Sequence, residues 1–133
     1  MSLNAEDRGI ITDLINRYGH LVDTGRFDRM DEILAEDVVY DVTDLDGGVL
    51  VGLEALRTAA LTLGDGNPLA HHVTNIVLDE ATGDLVHALS KGLGIMADGG
   101  IGSVTYEDRI ERRERGWRIA HRTVHSRRSP LRP

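Results

Sequence analysis

The feature that most constrains the fold is the second half of the chain, which consists of four long β segments in direct succession. Valine, isoleucine and threonine recur through these segments, and the turns between them contain Gly83, Gly100 and Gly116. This composition is typical of strands joined by hairpin turns. Because no helical pattern falls between the segments, we predict an antiparallel meander and not a parallel βαβ fold. The segments cover residues 69–79, 84–97, 102–113 and 117–126.

The first half of the chain predicts helices. Apolar residues recur at spacings of three and four between Ile10 and Val22, which is the pattern of an amphipathic helix that faces a core. Asn4 is placed to cap this helix, and Gly25 suits its C-terminal end. Helices followed by an antiparallel meander predict one α+β domain over residues 1–133, with helices on one face of the sheet and an extended tail at 126–133.

Three shorter elements are predicted after the first helix. Residues 27–34 read as a second, short helix, and residues 38–42 and 49–51 read as extended segments. A third helix is predicted over residues 53–63, with Leu53, Leu56, Ala60 and Leu61 buried.

Composition narrows the classes of function. The net charge of −7 is not that of a nucleic-acid binder, so we expect no nucleic-acid partner. The chain has no cysteine, which excludes disulfides, thiolate metal sites and a cysteine nucleophile. No apolar run approaches membrane-spanning length, so we expect no membrane partner. The first residues lack a basic and apolar signal pattern, and we expect a cytoplasmic location.

Two sequence motifs resemble those of cofactor sites but lie in a different structural context. Gly92 and Gly94 lie inside a predicted strand that leads into a turn, whereas a dinucleotide fingerprint leads into a helix. Asp44 and Asp46 resemble part of a calcium loop, but its closing glutamate would fall on Leu53. We expect that the glycines bend the strand or make room for a ligand, that the aspartates lie in a hairpin turn, and that there is no cofactor.

The histidines also fail to predict a metal site. His71 and His72 are adjacent in a strand and therefore face opposite sides of the sheet. His121 and His125 share a face but lie roughly 13 Å apart along their strand. We therefore expect no metal.

Asp23 is the charged residue of most interest. It ends the apolar stripe of the first helix, where a carboxylate faces the negative end of the helix dipole. Turn chemistry or a pair with Arg26 would account for it without any function. A carboxylate beside a buried imidazole, with His71 as the candidate, would instead form a general-base unit. Alternation does not choose the core face of the His71 strand, because neither face is cleanly apolar.

Alternation in the last predicted strand separates two faces. Trp117, Ile119 and His121 share one face, while Ala120 and Arg122 share the other. We predict that the Trp117 face is covered by the helices.

Four stretches carry a resemblance to a known family. They read YGHLVDTGRFDRMDEILAEDVVY at 18–40, VGLEALRTAAL at 51–61, HHVTNIVLD at 71–79 and GSVTYEDRIERRERGWRIAHRTV at 102–124. With the spacing between them, they resemble SnoaL-like proteins of the NTF2-like superfamily over nearly the whole chain. The resemblance implies a cone-shaped barrel in which the N-terminal helices pack in the concave face of a curved, mostly antiparallel sheet. It also implies a deep pocket and a homodimer or higher homo-oligomer.

The subgroup that resembles scytalone dehydratase and the lindane dehydrochlorinase fits best. Those enzymes place an aspartate at the end of the first helix and a histidine at the start of the strand after the third helix. Asp23 and His71 match these positions. The resemblance implies that His71 abstracts a proton while Asp23 orients it, and that Tyr18 and Val22 line the pocket.

The group that polarises the substrate is not matched. Where the dehydratase subgroup has further polar residues, this chain has Val42 and either Leu89 or Ser90. Tyr106, His121 and Arg122 are the alternative candidates. The candidate substrate-binding residues are Tyr18, Val22, Tyr40, Ser90, Tyr106, Trp117 and His121.

Together these inferences predict a cofactor-independent lyase or isomerase with Asp23 and His71 as its catalytic residues. Its substrate would be a small, hydrophobic and cyclic molecule. The alternative is a non-catalytic small-molecule-binding or structural subunit of the same fold, as in the beta subunit of ring-hydroxylating dioxygenases. The two hypotheses differ in geometry, because the enzyme needs both side chains within hydrogen-bond reach in one cavity.

Overall fold

The helices pack against one six-stranded mixed sheet. This computed structural model describes residues 3–131, except the side chains of residues 80 and 81. Helix α1 spans Ala5–Asp23, helix α2 spans Leu53–Leu63, and short 3-10 helices lie at Phe27–Glu32, Thr43–Leu45 and Gly64–Gly66. The strands are β1 (Leu34–Asp41), β2 (Val49–Val51), β3 (Ala70–Thr82), β4 (Leu85–Ile95), β5 (Ile101–Arg113) and β6 (Gly116–Arg127).

The strand order is β2-β1-β6-β5-β4-β3, and β2 and β3 are the edges of an open, curved sheet. Strands β3 to β6 form the predicted antiparallel meander. Strand β1 pairs with β6 in parallel, which makes the sheet mixed. The predicted α+β fold, with helices against a curved sheet, is confirmed. Strand β6 runs to Arg127, so residues 126 and 127, which were predicted to belong to the extended tail, are part of the strand. Residues 132 and 133 lie outside the described part of the chain.

Helix α1 begins and ends where its sequence predicts. The Asn4 side chain accepts a hydrogen bond of 2.8 Å from the backbone N–H of Asp7, which satisfies one of the unpaired donors of the first turn. At the other end the chain leaves the helix through Gly25, whose φ of +69° suits a residue without a Cβ. The face of α1 that contains Ile11, Ile15 and Tyr18 is buried against the sheet.

Two predictions about the other helices are wrong in detail. The second helix is a 3-10 helix that ends at Glu32, and Leu34 already belongs to β1. Leu61 of α2 is 58% exposed, although it was predicted to be buried. Leu56 and Ala60 of α2 face the interior, and Leu61 lies about 100° further around the helix from Ala60, which turns it to solvent.

Bulges change the side-chain alternation in two strands. The β3 register shifts between Thr74 and Val77, and Asn75 has a φ of +56°. Asparagine adopts this left-handed conformation more readily than most residues. As a result, Ile76 packs against the core, whereas Val77 is exposed, and the single face predicted for 71, 73, 75 and 77 is broken.

A second register shift changes which residues of β6 face the core. Ile110 pairs with Ile119 and Arg109 pairs with His121, so Ala120 is the additional residue. Trp117 and Ile119 face the core before the bulge, and Arg122 takes the core-facing position after it. The predicted common face of Trp117, Ile119 and His121 is therefore wrong, because the bulge inserts one residue into the alternation.

Close packing of α1 on β3 depends on Gly19. A Cβ at this position would lie 2.6 Å from the backbone oxygen of His71, which is closer than side-chain carbons approach other atoms. Gly19 lies one helical turn before Asp23, at the end of α1 that faces the start of β3. The missing side chain therefore lets the helix and the strand approach each other at this point.

We expect Gly19→Ala to lower the free energy of unfolding by about 1–3 kcal/mol, because the backbone of β3 must move to admit the methyl group. Gly9→Ala is the matched control on the same helix. No atom lies within 4 Å of a Cβ there, and the change should stabilise the protein by up to about 1 kcal/mol. Chemical denaturation measures both values. Similar stabilisation by both substitutions would contradict the close packing at Gly19.

Candidate active site

A cavity of about 620 Å³ opens between α1, α2 and the concave face of the sheet. Its walls are mostly apolar, with contributions from Val22, Leu53 and Val124 among others. This volume and lining are typical of sites for small organic molecules. The cavity also contains a few polar groups, and those deepest in the fold come from α1 and from the strands. They are the side chains of Tyr18, Tyr40, His71 and Tyr106.

Asp23 and His71 form a hydrogen-bonded pair at the edge of this cavity. The His71 Nδ1 atom lies 2.6 Å from Asp23 Oδ1. The backbone N–H of His71 also donates to both carboxylate oxygens, at 3.2 and 2.9 Å. The Asp23 side chain is 19% exposed and the His71 side chain is 15% exposed, so the pair is largely covered. His71 nevertheless lines the cavity. One residue thus supplies every donor that this carboxylate receives in the described structure.

The pairing assigns roles to the two ring nitrogens of His71. A carboxylate only accepts hydrogen bonds, so the bond at 2.6 Å places the proton of the neutral ring on Nδ1. Nε2 then carries the free lone pair and is available as a base. Asp23 also stabilises the imidazolium that forms when Nε2 takes up a proton.

The alternative pairing of Asp23 with Arg26 does not occur. Arg26 instead donates to Asp28 at 3.3 Å on the surface. The Asp23 carboxylate at the C-terminal end of α1 is compensated by the N–H groups of His71 and not by a neighbouring cation.

Three tyrosines surround the inner part of the cavity. The hydroxyl oxygens of Tyr18 and Tyr40 lie 2.6 Å apart, so one of the two hydroxyls donates to the other. The ring of Tyr18 meets the ring of His71 edge to face, with 6.0 Å between the ring centroids. Tyr106 lies beside Tyr18 at the same centroid distance of 6.0 Å. Its hydroxyl end covers Gly92, where a Cβ would lie 2.7 Å from the phenol oxygen.

A buried ion pair lies behind the tyrosines. Arg122 donates two hydrogen bonds to Asp108, from Nε at 2.7 Å and from Nη2 at 2.9 Å. Both side chains are fully buried. The guanidinium carbon lies 4.6 Å from the ring centroid of Tyr18 and 4.1 Å from that of Tyr106. These are cation–π distances, so the charge is shared between the carboxylate and two phenol rings.

Burial changes the acidity of these groups. Burial raises the pKa of Tyr18 well above its usual value, and the neighbouring Tyr40 and Tyr106 add to the increase, whereas Arg122 opposes it. Burial also raises the pKa of Tyr106. Burial alone would lower the pKa of Arg122, but the Asp108 carboxylate, with smaller contributions from Tyr40 and Tyr106, outweighs this effect and the pKa is raised. At neutral pH the site therefore holds two protonated phenols beside a permanent cation.

The structure brings some of the predicted site residues together and separates others. Tyr18, Val22, Tyr40, Tyr106 and His71 line the cavity. Asp23 reaches the site through His71.

Ser90, Trp117 and His121 do not line the cavity, and their placement there is corrected. Ser90 is buried opposite Tyr106 in the β4–β5 ladder. The Trp117 indole donates to Asp7, near the opposite end of α1 from Asp23. His121 lies next to the β6 bulge, which gives the core-facing position to Arg122.

Residue-level reasoning missed Asp108 and undervalued Arg122. Tyr106, Asp108 and Ile110 alternate along β5, so an acid shares the face of two large hydrophobic residues. That pattern is a signal for a paired buried charge, because an unpaired one would be costly. The β4 glycines Gly92 and Gly94 line the cavity, and Gly92 also gives space to the Tyr106 ring.

Within residues 3–131, no group of three or more histidine, aspartate or glutamate side chains is arranged to hold a metal ion. In the same part of the chain, no helix is both long and apolar enough to cross a membrane.

The sequence matches the profile of the SnoaL-like domain over residues 4–123. The chain belongs to the SnoaL-like family. This match includes Asp23, His71 and all three tyrosines of the cavity. A search of curated proteins finds no match to the sequence.

Solved structures similar to this SnoaL-like chain share its architecture. LinA is 25% identical with a TM-score of 0.76, and the match covers 93% of this chain and 88% of LinA. An NTF2-like protein with a cystatin-like fold from Novosphingobium aromaticivorans is 26% identical with a TM-score of 0.74, covering 90% and 80%. The hexachlorocyclohexane dehydrochlorinase LinA-type3 from Novosphingobium barchaimii is 22% identical with a TM-score of 0.76, covering 93% and 89%, and shows the fold alone.

We expect alkaline unfolding to follow the buried tyrosines. Their raised pKa values mean that the folded protein keeps its phenol protons above pH 10, about where an unfolded tyrosine loses them. The stabilisation is thus complete below about pH 10 and is lost as the pH rises further. Tyrosinate absorbance should appear together with the loss of circular dichroism, and Tyr106→Phe should reduce the pH dependence. Ionisation of Tyr18 and Tyr106 near pH 10 in a folded protein would contradict this account.

Proposed function

We propose that this SnoaL-like protein is a cofactor-independent lyase or isomerase that removes a proton from carbon in a small hydrophobic substrate. His71 is the general base and Asp23 its orienting partner. The observation that carries the proposal is the 2.6 Å hydrogen bond between Asp23 and His71 at the wall of a largely apolar cavity. A base held in one tautomer at the wall of a cavity has the arrangement that general-base catalysis requires.

The chemistry follows from these two residues. His71 Nε2 takes a proton from a substrate carbon, and the electron pair of that C–H bond forms a new double bond. In an elimination, a leaving group departs from the adjacent carbon; in an isomerisation, the proton returns at another carbon. Asp23 stabilises the intermediate imidazolium. A positioned base of this kind contributes typically 10²–10⁴-fold to the rate.

Similar proteins support an elimination. LinA, which is 25% identical to this chain, shares its name with LinA-type3, a hexachlorocyclohexane dehydrochlorinase. Dehydrochlorination removes a proton and a chloride from neighbouring carbons, which is the reaction class proposed here. The apolar walls of the cavity favour a substrate with little charge, and the volume of about 620 Å³ admits a cyclic one.

A non-catalytic binding or structural role is the second candidate, and one observation favours it. The backbone N–H of His71 also bonds to Asp23, so the pair fastens α1 to the edge strand β3 whether or not chemistry occurs. In that role the imidazole would contribute to folding, and its removal would lower stability.

We expect His71→Ala and Asp23→Asn each to reduce turnover at least about 100-fold. The Tm should fall by no more than about 5 °C, because the His71 backbone N–H still finds an acceptor at position 23. Chloride release from chlorinated cyclohexanes, and water release from cyclic β-hydroxy ketones, provide the assays. His72→Ala is the matched control, since His72 is the exposed neighbour in the same strand. Unchanged turnover in His71→Ala would rule out the general-base role, and a large loss of Tm would favour the structural role.

The oligomeric state stays a prediction. We expect a homodimer or a higher homo-oligomer, and analytical ultracentrifugation of the purified chain would determine it.

A further inference from the structure

We propose that the side-chain oxygen of Asn67 accepts a hydrogen bond from a neutral donor group of the substrate, a hydroxyl or an N–H. The substrate is then a mostly apolar cyclic molecule with this donor near the cavity mouth and its reacting C–H near His71. This inference rests on the proposed function, because it assigns a specificity-determining residue to the same cavity. Asn67 lies in the connection between α2 and β3 and lines the cavity.

Two hydrogen bonds fix the orientation of the Asn67 carboxamide. Its Nδ2 atom donates to the backbone oxygens of Ala60 and Gly64, both at 2.8 Å. Backbone oxygens only accept hydrogen bonds, so the amide nitrogen and not the amide oxygen must face them. The two bonds use both hydrogens of the NH₂ group and cap the C-terminal end of α2. The carboxamide therefore cannot turn over without the loss of both bonds.

The oxygen of the same carboxamide is left free. A carboxamide oxygen can accept two hydrogen bonds, and Asn67 Oδ1 receives none from the described residues. The helix cap accounts for the nitrogen, and a lysine or an arginine would also donate to these carbonyl groups. It does not account for an acceptor. Because Asn67 is half-buried and lines the cavity, a fixed acceptor is available to a ligand there.

The surroundings of Asn67 favour a neutral donor on an apolar ligand. Two charged side chains, Asp46 and Arg57, line the cavity where it is exposed, and their charges are opposite. Neither an anion nor a cation therefore finds a wall of uniform opposite charge. The lining that α2 contributes includes Leu56 and Leu63, which suit an apolar body. A hydroxyl or an N–H on such a body matches the free oxygen of Asn67.

One small molecule can reach both the acceptor and the base. Asn67 and His71 are four positions apart in the chain, so their Cα atoms lie no more than about 14 Å from each other. The segment between them is attached to β4, because the backbone N–H of Leu69 donates to the Ile95 oxygen at 2.7 Å. A ligand of one or two rings, held by its donor at Asn67, is thereby positioned with a carbon at His71.

Matched ligands test the acceptor. 2-Naphthol and 2-fluoronaphthalene have the same rings and similar size, but only the hydroxyl donates, and isothermal titration calorimetry measures both affinities. We expect the wild-type protein to bind 2-naphthol about 10-fold more tightly, and Asn67→Ala to lose that preference. Arg57→Leu is the matched control in the same cavity and should keep it, because arginine only donates. Equal affinities in the wild type, or a preference that survives Asn67→Ala, would overturn the proposal.

A nuclear magnetic resonance measurement needs no variant that alters the helix cap. The chain has four asparagines and no glutamine, so its ¹⁵N spectrum contains only four pairs of side-chain amide signals. 2-Naphthol should shift the Asn67 pair more than 2-fluoronaphthalene does, because a hydrogen bond to Oδ1 changes the electron distribution of the amide while the ring currents are matched. Equal shifts with both ligands at saturation would overturn the proposal even if Asn67→Ala fails to fold.

The variant His71→Ala separates this proposal from the general-base role. We expect it to keep the preference for 2-naphthol while it loses turnover. A preference that is lost in His71→Ala and kept in Asn67→Ala would mean that the hydroxyl binds at His71, and it would overturn the role of Asn67. A preference that depends on Asn67, together with unchanged turnover in His71→Ala, would support the role of Asn67 and overturn the general-base role alone.

Discussion

The carboxylate of Asp23 and the N–H groups of His71 form the interaction on which the site depends. Helix α1 ends at this carboxylate, where the helix dipole disfavours a negative charge. Three contacts with a single residue compensate for that position, and the shortest of them is charge-assisted. The same contacts attach the helix to the edge strand β3 and fix the orientation of the imidazole. The fold and the proposed chemistry thus share one set of hydrogen bonds, and Gly19 permits the approach that makes them possible.

The second constraint is the charge buried behind the cavity. An unpaired guanidinium in this position would be strongly unfavourable, and Asp108 makes it tolerable by bonding to it through two oxygens. The rings of Tyr18 and Tyr106 cover the cation and separate it from the cavity. The result is a pocket whose surface is apolar or hydroxylic while its electrostatics are set by a cation that a ligand does not touch.

Local pattern predicted the elements but not the contacts between them. The caps of α1 at Asn4 and Gly25 follow from residue chemistry at single positions. The strands of the meander follow from β-rich segments between glycine turns. Asp23 and His71 are 48 positions apart, and nothing in either local segment specifies the other; the pairing came from the resemblance to the family.

The wrong face assignments in β3 and β6 have one physical origin. Strict alternation assumes that a strand continues without an additional residue, and β3 and β6 each contain a bulge. The bulge at Ala120 exchanges the faces of His121 and Arg122, so Arg122 and not His121 faces the core. Strand pairing determines where a bulge falls, and a single strand does not contain that information. The alternation of Tyr106, Asp108 and Ile110 did contain the signal for a buried ion pair.

Nitrogen NMR of the His71 side chain tests the central claim most directly. When the His71 ring is neutral, ¹⁵N shifts and one-bond N–H couplings should place its proton on Nδ1 and leave Nε2 without one. The His71 signal is assigned by its absence in His71→Gln. Asp23→Asn should change this tautomer preference, because the amide is a weaker acceptor than the carboxylate. A proton found on Nε2 in the wild-type protein, with Nδ1 bare, would contradict the assignment of His71 as a base oriented by Asp23.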